Sequence, residues 1–96
     1  MELKVFSIFD KATEAFNLPF FMLTEKEAIR AFTNMALDET TQINKHKHDY
    51  HLYYLGRFDN KLAAFHDMNL RDMGSAATYV VNETNVNELF PAEEQA

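Results

Sequence analysis

The sequence predicts an α+β fold, with one main α-helix packed on a small antiparallel sheet of four to five strands. Three observations lead there. Leu3–Phe9 and His51–Asp59 are dense in β-branched and aromatic residues. Thr24–Leu37 carries apolar residues at helical spacing behind a capping signature. The elements follow in the order strand, strand, helix, hairpin, with no internal repeat.

Leu3-Lys4-Val5-Phe6-Ser7-Ile8-Phe9 is almost wholly apolar and ends at Asp10, so it reads as a strand covered on both faces. Lys11–Asn17 is a connection with room for one helical turn at Ala12–Phe16. Pro19 has no N–H to give a ladder, so Phe20–Leu23 reads as a short edge strand. Thr24 and Glu27 form a Thr-x-x-Glu capping box, and Ala28, Ile29, Phe32, Met35 and Ala36 build the buried stripe behind it. Asp38–Asn44 is polar and reads as loop. In His51–Asp59, alternation puts Leu52, Tyr54 and Phe58 on one face and Tyr53, Leu55 and Arg57 on the other, with Gly56 marking a bulge. Asn60-Lys61 is the hairpin tip, and a strand runs from Leu62 to about Asp67. For Leu70–Val81, Met73, Ala76, Ala77 and Val80 fit helical spacing. Gly74 and the run Thr78-Tyr79-Val80-Val81 favour a short final strand at Ala77–Val81. Residues 1–81 therefore read as one domain, and residues 82–96 as an acidic, mobile tail.

The 96 residues include nine Phe and four Tyr, enough rings for a core and an aromatic surface. A core of this size is modest, and pairing into a homodimer would strengthen it. There is no Cys, which rules out disulfides, thiolate zinc sites and a Cys nucleophile. No stretch is long enough to span a bilayer, and Met1–Asp10 does not read as a signal peptide, so a cytoplasmic location is expected. The two serines, Ser7 and Ser75, lie in no nucleophile-elbow pattern, and two glycines cannot form a phosphate loop. A binding protein without catalytic residues or cofactor is the expected class.

The net charge is −6 and uneven along the chain. Lys45, Lys47, Arg57, Lys61 and Arg71 make the middle mildly basic, whereas Glu83, Glu88, Glu93 and Glu94 make the tail purely acidic. The overall balance counts against general nucleic-acid binding. Locally, Lys45, His46 and Lys47 followed by Tyr50, Tyr53 and Tyr54 interleave cations and rings, as a single-strand platform does. The candidate nucleic-acid-binding residues are Lys45, His46, Lys47, Tyr53 and Arg57, with Lys and Arg on phosphate and Tyr53 stacking on a base. His46, His48 and His51 have spacing that a metal ion could use, although a polar loop explains the same three residues.

The opening Leu3-Lys4-Val5-Phe6-Ser7-Ile8-Phe9-Asp10, then Ala15-Phe16 and Pro19-Phe20-Phe21, resemble the small nonstructural protein of gokushoviruses. So do Ala28-Ile29-Arg30-Ala31-Phe32 and Ile43-x-Lys45-His46-x-x-Asp49-Tyr50-x-Leu52-Tyr53-x-Leu55-Gly56-x-Phe58-Asp59. These single-stranded DNA phages form part of the Microviridae. The resemblance covers Leu3 to Asp59. It implies a phage protein made in the host bacterial cytoplasm, DNA-binding or acting in viral DNA replication and genome packaging. It also implies single-stranded DNA, or viral and host replication and packaging proteins, as partners. A protein–protein adaptor to a host replication factor or viral capsid component, with no DNA affinity of its own, is the alternative.

Overall fold

Two long strands form the spine of the computed structural model, which describes residues 1–81. β1 (Glu2–Asp10) and β4 (Tyr50–Asp59) pair antiparallel from end to end. Two short strands share the outer edge of each. β2 (Ala15–Phe16) and β3 (Phe20–Met22) lie against β1, and β5 (Ala64–His66) and β6 (Arg71–Ser75) lie against β4. The sheet thus has six strands, more than the expected four to five. Beside α1 (Glu25–Leu37) stand the short α2 (Gln42–Lys45) and a third helical segment at residues 76–81, so the expectation of one main helix undercounts. The proposed tail lies outside the described residues. Among the described residues no helix is long and apolar enough to cross a membrane.

The core forms on one face of the spine. Phe6, Ile8 and Leu52 meet Ala28, Phe32 and Ala36 of α1, with Ile43 and Ala76 closing the ends. Phe20 stacks on Phe6 at 5.8 Å between ring centroids, and Tyr54 meets Phe6 edge-on at 5.6 Å. Each large apolar side chain buried this way contributes about 1.5–3 kcal/mol.

The start of α1 follows the expected signature with one difference. Thr24 Oγ1 accepts the Glu27 N–H at 3.2 Å, but the Glu27 carboxylate accepts from Leu23 N–H, one residue before the cap. Glu25 and Glu27 also put negative charge where the helix dipole favours it. The expected loop at Asp38–Asn44 contains α2 instead. Thr41 caps it by accepting the Asn44 N–H at 3.0 Å. The Thr41 hydroxyl and the Asn44 amide donate to the Met35 and Ala36 carbonyls, at 2.6 and 2.8 Å. Polar residues that read as loop thereby satisfy the end of one helix and start the next.

Other boundaries shift for local reasons. No helical turn forms at Ala12–Phe16; Asp10 Oδ1 accepts the Ala12 N–H at 2.9 Å, and a turn delivers β2 back to β1. The hairpin tip widens to residues 60–63, because Asp59 Oδ1 accepts the Lys61 and Leu62 N–H groups and Ala63 takes φ 55°. The strand expected at Ala77–Val81 is helical, and the strand lies just before it, at Arg71–Ser75. Ser75 makes the switch, its Oγ accepting the Thr78 N–H at 3.2 Å.

One irregularity in the spine matters most. Ile8 pairs with Leu52 and Phe6 with Tyr54, but Val5 pairs with Gly56. Leu55 is the extra residue of a β-bulge, and it reverses which face the following side chains occupy. Leu52 and Tyr54 therefore lie on the helix side with Phe6. Phe58, opposite Leu3, lies on the other side, where it does not join them as alternation predicts. Arg57 likewise parts from Tyr53 and moves to the helix side.

Gly56 is buried in this bulge. A Cβ there would lie 2.2 Å from Met68 Sδ and 2.9 Å from the His66 carbonyl oxygen. Gly56→Ala should cost about 1–3 kcal/mol in urea unfolding, and Phe32→Ala about 3–5 kcal/mol. A Gly56→Ala chain as stable as the wild type would contradict this packing. Thr24→Ala should cost about 1 kcal/mol through loss of the cap.

Candidate nucleic-acid interface

The Lys45–His48 turn links α2 to β4 and is held by its own backbone. His46 is the C-cap of α2, donating its N–H to the Gln42 carbonyl at 3.0 Å. The Lys47 carbonyl accepts the Ala77 N–H at 3.1 Å, and Lys47 Nζ donates to the Asn44 carbonyl at 2.8 Å. Neither Lys45 nor Lys47 takes part in an ion pair among the described residues. Lys45 is exposed and Lys47 half-buried on a turn fixed by these bonds.

Arg57 is differently placed. Its guanidinium grips Glu2 through two bonds of 2.6 and 2.7 Å and meets Asp67 through Nε at 2.8 Å and again through Nη2. Asp67 first, and Glu2 second, hold it more firmly protonated than a free arginine. With two carboxylates on one cation, Arg57 ties β1, β4 and the chain after β5 together and has no charge to spare for phosphate. The sequence groups it with Lys45 and Lys47; the structure does not.

Tyr53 sits on the sheet face opposite α1. Its ring meets Phe16 edge-on at 5.1 Å and Phe9 at 5.8 Å, and Phe9 and Phe16 are 4.7 Å apart. At the other end of the same face, Phe58 lies 5.4 Å from Phe21 and 4.8 Å from Phe65. Val5 and Ser7 lie buried between the two groups. Phe16, Phe21 and Phe65 remain 43%, 41% and 54% exposed. This is an open aromatic sheet face. Sequence reasoning found Tyr53 and missed the five phenylalanines. The odd positions of β1 gave a signal for Phe9, but Phe58 and Phe65 reach this face only through the bulge.

His51 is on the same face, with Nδ1 3.1 Å from Asp72 Oδ1. The three candidate metal-ligating histidines, His46, His48 and His51, are not brought together as a metal-holding group. Among the described residues no group of three His, Asp or Glu side chains is placed to hold a metal ion. Asp72 also accepts the Gly74 N–H at 2.9 Å. Burial pushes its carboxyl up, but that bond and His51 outweigh it and hold it below the ordinary carboxylate range. Asp38, bonded by Thr40, and Asp59, bonded by the Lys61 N–H, are lowered too.

Comparison with known proteins gives one family: residues 3–79 match the model described as Phage ORF5 protein. No curated protein and no solved structure matches.

The three lowered carboxylates bind protons less readily in the native chain than in the unfolded one. Their stabilisation is complete above about pH 4 and is lost as the pH falls through the lowered native values. The urea midpoint should therefore drop from about pH 5 to about pH 3, and drop less in Asp72→Asn. A midpoint that stays flat over that range would contradict the assignment.

Proposed function

We propose a function for this chain from the premise that it belongs to the Phage ORF5 protein family: it is a non-enzymatic module that binds single-stranded DNA during replication or packaging of a phage genome. It works in the cytoplasm of the infected bacterium, and the phage is a gokushovirus, on the resemblance carried by Leu3 to Asp59. The observation that carries the reading is the open aromatic face, with Phe16 beside Tyr53 and Phe21 and Phe65 beside Phe58, each of the three more than two-fifths exposed. Exposed rings on a sheet offer stacking surfaces to unpaired bases, and each stacked base is worth about 1–3 kcal/mol. A duplex keeps its bases inside and gains little from such a face. Lys45 and Lys47, which make no ion pair among the described residues, supply positive charge for the phosphates.

The charge balance favours a second reading, a protein–protein adaptor. The four tail glutamates leave a formal −2 on residues 1–81, and Arg57 is already neutralised. An apolar face on an acidic chain suits a replication or packaging protein, or a second copy of this one.

Fluorescence anisotropy of a labelled single-stranded oligonucleotide at two salt concentrations separates them. The DNA reading expects affinity that falls with salt, with the slope reduced by about 1.4 in a Lys45→Ala, Lys47→Ala chain. It expects Phe16→Ala, Phe65→Ala to weaken binding at both salts with the slope unchanged. No binding at low salt gives the aromatic face to a protein partner.

A further inference from the structure

Beside the basic turn lies a polar cleft that stacking and phosphate contacts do not use. It has a volume of about 270 Å³ and is lined by Asp10, Ala12, Gln42, His46, Asp49 and Tyr50. Three segments meet there: the end of β1, the start of β4, and α2 with its following turn. Asp10 and Tyr50 are cross-strand partners. Lys11 N–H donates to the Asp49 carbonyl at 2.9 Å, and Asp49 N–H donates to the His46 carbonyl at 2.9 Å. The walls are therefore fixed by backbone bonds.

The lining has a definite chemistry. The Asp49 and Asp10 carboxylates are acceptors, Asp10 Oδ1 already taking the Ala12 N–H, while Gln42 and His46 can accept or donate and Tyr50 offers a ring edge or face. Burial first, then the charge and hydrogen bond of Asp10, then Asp49, push the Tyr50 hydroxyl up, so it stays protonated. The volume falls just short of the ~300 Å³ at which small-molecule pockets begin, which suits a single planar ring system. Carboxylates would repel a phosphate, so a DNA strand's backbone stays outside this cleft; Lys45 and Lys47 line a separate cleft against Ala77 and Val80, where they can hold phosphates.

We propose that this cleft takes one unstacked nucleobase of the bound strand and selects bases that carry an exocyclic amino group. Cytosine, adenine and guanine each offer such donors to acidic or amide acceptors. Thymine has no amino group, and its single N3–H donor is flanked by two carbonyl oxygens that would meet the carboxylates. The inference rests on the single-stranded DNA reading and adds base preference to it.

The test is anisotropy with the full chain and two labelled oligonucleotides of equal length, oligo(dC) and oligo(dT), at neutral pH. The wild type should bind oligo(dC) about tenfold more tightly. Asp49→Asn, with its fold checked by circular dichroism, should lose most of that preference. Lys45→Ala, Lys47→Ala should weaken both oligonucleotides and keep the preference. Equal wild-type affinities, or a preference that survives Asp49→Asn, would overturn the base pocket and leave DNA binding standing. No binding to either oligonucleotide would remove both. Binding of an arginine-rich peptide that depends on Asp49, without base preference, would also overturn the proposal and give the cleft to a cationic side chain.

Discussion

The pairing of β1 with β4, and the single residue by which β4 outruns its partner, determine the rest of the molecule. Up to Tyr54 the two strands present Phe6, Ile8, Leu52 and Tyr54 to the helix. Past Leu55 the parity is reversed. A regular strand would direct Phe58 at the helix side and leave Arg57 beside Tyr53. The bulge instead sends Phe58 to join Phe21 and Phe65, and sends Arg57 to Glu2 and Asp67. One inserted residue thus divides the rings between a closed core and an open face, and it decides which cation is neutralised.

Side-chain hydrogen bonds do most of the work in the connections. Asp10, Asp38, Asp59 and Asp72 each accept a backbone N–H two residues ahead. The same device closes three turns, at Asp10, Asp38 and Asp59, and in β6 it braces the irregular stretch from Asp72 to Gly74. This is how a chain with two glycines makes so many reversals within its described part. It also explains why acidic residues that add to the net charge are not spread at random over the surface.

The elements legible in the sequence were those whose signal is local and long. The apolar run of Leu3–Phe9, the capped stripe from Thr24 and the aromatic run before Asp59 each became an element within about a residue of the expected limits. What stayed hidden depends on partners distant in sequence. β2 is two residues long and exists because Phe9 and Asp10 offer it a ladder. α2 is four residues long and rests on Thr41 and on the burial of Ile43. At residues 76–81 the helical spacing was visible, but the β-branched run outweighed it, because nothing local reveals that Ala76 will be buried against the core. Within the candidate interface, Lys45, His46 and Lys47 stay together because they are neighbours in the chain. Arg57 parts from Tyr53 and the phenylalanines gather on the open face because both depend on the register at Leu55.

The outer edge of β1 carries a further consequence. β3 covers it from Lys4 to Phe6 and β2 covers it at Phe9 and Asp10, which leaves a gap at Ser7 and Ile8. Asn17 fills that gap: its N–H donates to the Ile8 carbonyl at 2.8 Å, and its carbonyl accepts the Ser7 hydroxyl at 2.6 Å. A long apolar strand is the segment most prone to recruit identical strands into a growing ribbon. Here its hydrogen-bonding edge is occupied along the gap by a single asparagine. A chain sealed in this way can accumulate without its most aggregation-prone strand templating fibres.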